Sequence, residues 1–229
     1  MKFKLISFGL LLFQMTFGQM KNDSTAINLH FKFGKQDVKL NEKYISSTKD
    51  TLQIEAFRFY ISKIKIEYAD QSVYPQPKSY HLVDIEDSIS SRIAVCKYNN
   101  KTISKITFNI GVDSLMSVSG ALNGDLDPTK GMYWAWQSGY INLKIEGKSS
   151  SCKTRKNQFF FHVGGYMKPN NALREVTLVM NKTQPDINID VDLEAFFSKI
   201  RLAETNSIMI PGKKAMELAD YSVQLFKIE

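Results

Sequence analysis

The stretch Leu52–Tyr68 (LQIEAFRFYISKIKIEY) constrains the fold more than any other part of this chain. Phe57, Phe59 and Ile61 share one parity along it, while Ile64, Ile66 and Tyr68 share the other. Strand side chains alternate faces with period 2, so the segment reads as strand with a bulge or bend near Ser62–Lys63. Further β-patterned runs are Ala26–Phe33, Ser79–Asp84, Lys105–Gly111, Tyr140–Glu146, Gln158–Val163, Glu175–Met180 and Asp186–Val191. In Tyr140–Glu146 the apolar set Ile141, Leu143 and Ile145 alternates with Asn142, Lys144 and Glu146, which suits a half-buried antiparallel strand. Two segments read as helix. Glu194–Leu202 is short, and Gly212–Phe226 puts Ala215, Leu218, Ala219, Ser222, Leu225 and Phe226 on one face after the break at Pro211–Gly212. The pattern predicts a mostly β fold: an antiparallel two-sheet β-sandwich with a short helix and a C-terminal amphipathic helix.

The N-terminus reads as a signal peptide over residues 1–18. Lys2 and Lys4 precede an apolar run from Ile6 to Phe13, and small Gly18 follows. That run is too short to span a bilayer, which takes about 20 residues. Cleavage there leaves Gln19 first, and residues 19–229 form a single domain of ordinary size, periplasmic or secreted. No later stretch has the length and apolarity of a membrane span. The formal charge of +7 falls to +5 without the two signal lysines, and the remaining lysines are scattered rather than striped. A nucleic-acid partner is therefore not expected.

No GxSxG, HExxH, P-loop or dinucleotide fingerprint occurs, and nothing sets paired carboxylates across a cleft. The chain reads as a binding protein rather than an enzyme. Cys96 and Cys152 form no CxxC; in an oxidising compartment they can close one disulfide or remain free thiols. Both tryptophans, Trp134 and Trp136, are two residues apart, which on a strand puts two indoles on one face. Asp125 and Asp127 flank Leu126 beside Asn123 and Gly124, a spacing open to two readings: a plain Asx/Pro turn or oxygen ligands for calcium. The three histidines are His30, His81 and His162. His162 shares a strand face with Gln158 and Phe160, while Phe159, Phe161 and Val163 point the other way.

Several of these segments together resemble the MbnP-like family. They are Ile110–Asp113, Gly124–Pro128, Gly131–Tyr140 (GMYWAWQSGY), Glu146–Gly147 and Phe161–Gly165 (FHVGG), with Phe59–Ser62, Tyr80–Asp84 and Ile210–Asp220. The resemblance implies a periplasmic β-sandwich associated with copper. It further implies, as in some members, a tryptophan oxidised to a kynurenine-type residue by a di-haem partner enzyme related to MauG. Carried over, the copper candidates are His162 with Trp134, favoured over Trp136, and His81 as a further ligand. Indole nitrogen is a donor only, whereas a kynurenine-type amine and carbonyl add ligand atoms that suit copper beside imidazole. The alternative is a non-catalytic binding module in which the indoles form an aromatic platform and no copper is bound.

Overall fold

The computed structural model describes residues 24–120, 122–136 and 139–229. The expected signal segment, residues 1–18, lies outside the described residues. The described residues begin with β1 (Ser24–Phe33), β2 (Gln36–Asp37), β3 (Lys43–Ile45) and the long β4 (Thr51–Tyr68). There follow β5 (Val73–Pro75), β6 (Tyr80–Asp84), β7 (Arg92–Lys97) and β8 (Ile103–Ile110). Helix α1 (Ser114–Val118) and two 3-10 turns lead to β9 (Tyr133–Trp134) and β10 (Gly139–Ser149). Then come β11 (Gln158–Gly164), β12 (Arg174–Lys182), β13 (Asp186–Asp192) and α2 (Leu193–Phe197). The chain closes with β14 (Ser207–Ile208), α3 (Lys213–Ser222) and β15 (Phe226–Ile228). No helix among the described residues is long and apolar enough to cross a membrane.

Two sheets face each other, one of five strands built on β1 and one of ten built on β4. The 18 residues of β4 carry most of the larger sheet. Phe59 pairs with both Leu143 and Val83, and Ile61 with both Ile110 and His81. A strand has only two edges, so β10 and β8 lie end to end along one edge, with β6 on the other. The bulge expected from the parity switch is present. The β4–β8 register shifts between Ser62 and Lys65, and Lys63 takes φ 52°, exposed between buried Ser62 and Ile64. At the seam between β8 and β10, Gly111 N–H donates to Tyr60 O at 2.8 Å. A side chain on Gly111 is excluded: φ is 108°, and a Cβ would stand 2.1 Å from Asn142 Cγ.

The sandwich core is aromatic. Phe159 packs on Phe161 at 5.5 Å between ring centroids and on Phe197 at 5.6 Å, and Phe226 reaches Phe59 at 5.6 Å and Phe108 at 5.1 Å. Burying rings of this size removes on the order of 150–250 Å² each from water. A second, smaller core lies apart from it and includes Tyr60, Leu82, Val112, Leu126, Trp134 and Tyr140. Val112, Leu126, Met132 and Trp134 supply much of it.

The structure departs from the sequence reading in several places. The sandwich is not wholly antiparallel: β1 runs parallel to β13, and β11 to β14. A parallel pair needs a long crossover, and nine of the ten strands of the larger sheet lie between β1 and β13 in sequence. The C-terminal helix stops at Ser222, and Phe226 leaves it to pair with Val191 on β13. Asn142 is buried instead of facing solvent, because the β10–β11 register shifts between Ile141 and Leu143. Its Oδ1 accepts from Val112 N at 3.1 Å. Finally, β7 and the short strands β2, β3, β5, β9, β14 and β15 have no counterpart among the expected strands, and the short helix ends at Phe197 rather than Leu202.

Candidate functional site

The seam on β4 gathers chain ends. There β8 and β11 finish, while β10 and β12 begin, so α1, the segment 131–136 and the loop 165–173 meet at one place. Because β14 runs parallel to β11, residues 209–212 arrive there too. Ser114 Oγ donates to Tyr166 O at 2.8 Å, and Pro211 closes over Gly165. Asp113 fastens the start of α1: it caps Met116 N at 3.1 Å, accepts from Tyr80 OH at 2.5 Å and pairs with Lys63 at 2.9 Å. Burial opposes ionisation of Asp113, but the bonds from Tyr80, Lys63 and Met116 outweigh it and hold the carboxyl below its usual range.

Two tyrosines hold the segment before the indoles. Tyr60 OH donates to Asp125 O at 2.9 Å, and Tyr140 OH to Leu126 O at 2.6 Å. Burial pushes the Tyr140 phenol up to about 12. Strand β9 then brings Trp134 opposite Gly139 on β10. Trp134 is 6 % exposed. Its ring sits against Gly164, where a Cβ would come within 2.8 Å of Trp134 Cζ3 and 2.6 Å of Tyr140 O. Trp136 is 63 % exposed, with its ring centroid 5.7 Å from that of Trp134. The two indoles touch, but not as neighbours on one strand face: the strand ends at Trp134 and Trp136 lies in the following turn.

His162 lies two residues before Gly164 on the same face of β11, about 7 Å along the strand. It is opposite Lys144, which is opposite Arg58, which is opposite Asp84, so one polar row crosses four strands. His162 Nε2 is 2.7 Å from Glu146 Oε1, and Lys144 Nζ is 3.3 Å from the same oxygen. The His162 hydrogen bond holds the Glu146 carboxyl below its usual range, with burial opposing and Lys144 assisting. Arg58 Nε stands 2.7 Å from Asp84 Oδ2 as an ion pair, although its N–H is not aimed well enough to count as a hydrogen bond. Glu146 is the partner that the sequence reading did not assign to His162. Its only signal there was the Glu146–Gly147 element of the family resemblance.

The other expected ligands stand elsewhere. His81 is on β6, three strand spacings from β11, or about 14 Å. Its Nε2 is 2.8 Å from Gln76 Oε1, and burial lowers its pKa while Asp125 pulls the other way. Gln76 Nε2 donates to Ala94 O, which fixes the amide and makes His81 Nε2 the donor. His30 lies on β1 in the smaller sheet. Asp125 and Asp127 have separate duties: Asp125 accepts from Leu82 N at 3.2 Å and Lys130 Nζ at 2.8 Å, while Asp127 caps a 3-10 turn through Thr129 N at 2.8 Å. An ammonium thus already pairs with Asp125. Cys96 and Cys152 are free thiols, the first beside Tyr68 OH and the second beside Leu202 O. Among the described residues no three His, Cys, Asp or Glu side chains converge on a metal position. The unmodified side chains around His162 do not fit copper: they offer one imidazole and one paired carboxylate, with cationic Lys144 and Arg58 on the same row.

A cavity of about 570 Å³ opens beside the polar row, lined by Arg58, His81, Asp84, Arg92, Asp125 and Lys130 among others. Its charges answer one another in pairs: Arg58 with Asp84, Lys130 with Asp125 at 2.8 Å.

The sequence model of the family described as MbnP matches residues 22–210. Among solved structures the fold is similar to "MbnP from Methylosinus trichosporium", with a TM-score of 0.56 and 14% identity, covering 84% of this chain and 81% of that chain. That likeness is one of fold. No curated protein matches.

Proposed function

The chain belongs to the MbnP family, and from that premise we propose that it is a periplasmic, non-enzymatic binding protein whose ligand end is the seam around Trp134. One observation carries this reading: an exposed indole, Trp136, rests on a second indole, Trp134, that is itself buried and seated on Gly164. An exposed ring on a rigid base offers a large contact area at little cost in side-chain entropy, as binding hot spots do. The polar row through His162 supplies hydrogen-bonding groups beside it.

Copper is the ligand that the family resemblance implies. One feature favours it: the His162 imidazole lies on the strand face that also seats Trp134. Since the unmodified side chains fall short, this second reading rests wholly on ligand atoms made from Trp134 or Trp136 by a di-haem partner. Intact and peptide mass of protein from its native host, with copper measured on the same sample, separates the two. Unmodified tryptophans without copper support the aromatic binding end alone. Oxidation on the Trp134–Trp136 peptide with about one copper per chain supports the copper site. For the aromatic binding end itself, a Trp136→Ala protein that keeps its melting temperature and every binding property of the parent sinks the reading.

A further inference from the structure

Six of the ten exposed large apolar side chains among the described residues belong to the segments that meet at the seam. They are Leu115 and Val118 on α1, Trp136, Met167, Met209 and Ile210. All but Met209 are between 59 % and 73 % exposed. Their segments are fastened to one another, through Ser114 to Tyr166, Gly139 against the Tyr166 ring, and Pro211 over Gly165. Residues 111–120, 131–136, 165–172 and 207–214 hold only one acid, Asp113, which is already paired with Lys63. They also hold Lys168, Lys213 and Lys214, all exposed.

The geometry points to this ring of loop tips as a docking surface for an anionic phospholipid bilayer, with Trp136, Leu115 and Ile210 entering the headgroup layer and the three lysines meeting lipid phosphates. The inference deepens the preceding reading of this end as the binding end, by giving the exposed apolar side chains a partner. Composition favours lipid over protein. Protein interfaces are depleted in lysine and rich in arginine, and their hot spots are poor in leucine and valine. Aliphatic side chains and an indole ringed by lysine are the makeup of interfacial anchors.

The test is sedimentation of the purified protein with vesicles of phosphatidylcholine, with and without phosphatidylglycerol. Binding to the anionic vesicles only, with a blue shift in tryptophan emission and loss at high salt, is the expected result. Lys213→Ser with Lys214→Ser should weaken it by about fivefold per lysine. Leu115→Ser with Trp136→Ser should weaken it by about tenfold or more. These side chains are exposed, so melting temperatures should stay at the parent value. Absence of binding to anionic vesicles overturns the inference, as does binding that the variants leave unchanged. A defined envelope protein retained through Trp136 while vesicles stay unbound also overturns it, and leaves the aromatic binding end standing.

Discussion

At the scale of single residues, the seat of Trp134 is the sharpest constraint. Gly164→Ala must move the indole or the Tyr140 carbonyl, and a loss of about 1–3 kcal/mol is expected. Urea unfolding monitored by tryptophan emission should report both the lost stability and an altered native spectrum. His81 makes a second prediction. A histidine whose folded pKa is depressed keeps its full contribution to stability above the unfolded value of 6.5, and that contribution erodes as pH falls toward the folded value. Urea midpoints between about pH 8 and about pH 5 should therefore fall less steeply in His81→Gln, where an amide still bonds Gln76. Glu146 acts lower: its depressed carboxyl contributes above its unfolded value of 4.5 and loses that contribution as pH falls through the folded one. Of these residues, His162 and the tryptophans were legible in the sequence, because rare side chains in a short segment stand out. Their partners were not. Glu146, Lys144 and Gly164 become partners only through cross-strand register, which periodicity does not encode. Asn142 shows the same limit: a one-residue register shift turned an outward polar side chain inward.

At the scale of elements, the bend in β4 was legible because the apolar parity itself reverses across Ser62–Lys63. The backbone there demands φ 52°, which a β-branched residue adopts poorly. Lys63→Val should cost about 1–3 kcal/mol, and Lys63→Gly should not. Guanidinium unfolding of the pair, with the Lys63–Asp113 ion pair lost in both, isolates the backbone effect. Helix α3 was read four residues too long, since Phe226 fits the helical apolar face as well as it fits the strand it joins. Pairing with β13 and contact with Phe59 and Phe108 win over helix continuation. β7 carries little signal of its own, because only Ile93 and Val95 mark its inward face within six residues. The parallel entry of β1 beside β13 had no local signal at all, since direction is a property of the crossover and not of either strand.

At the scale of the whole molecule, the two sheets share one aromatic core that includes the last strand. Phe226→Ala should therefore cost about 3–5 kcal/mol and lower the single unfolding transition as a whole, not detach the C-terminus. Calorimetry showing two separated transitions in that variant would count against a shared core. The strand that organises the larger sheet also sets an order of events for a chain that appears residue by residue. β5, β6, β8 and β10 all pair with β4 and all follow it, so each finds its partner already made. β1 has the opposite fate. It is the first of the described strands to emerge; β2 and then β7 take one edge, yet β13 on the other comes after almost the whole sandwich. For most of synthesis the edge of Ala26 to Lys32 that β13 will cover stays bare, the state in which a strand most readily pairs with the wrong neighbour. The earliest-made of the described strands is thus among the last to be satisfied, and the wait is longest at the edge that β13 finally covers.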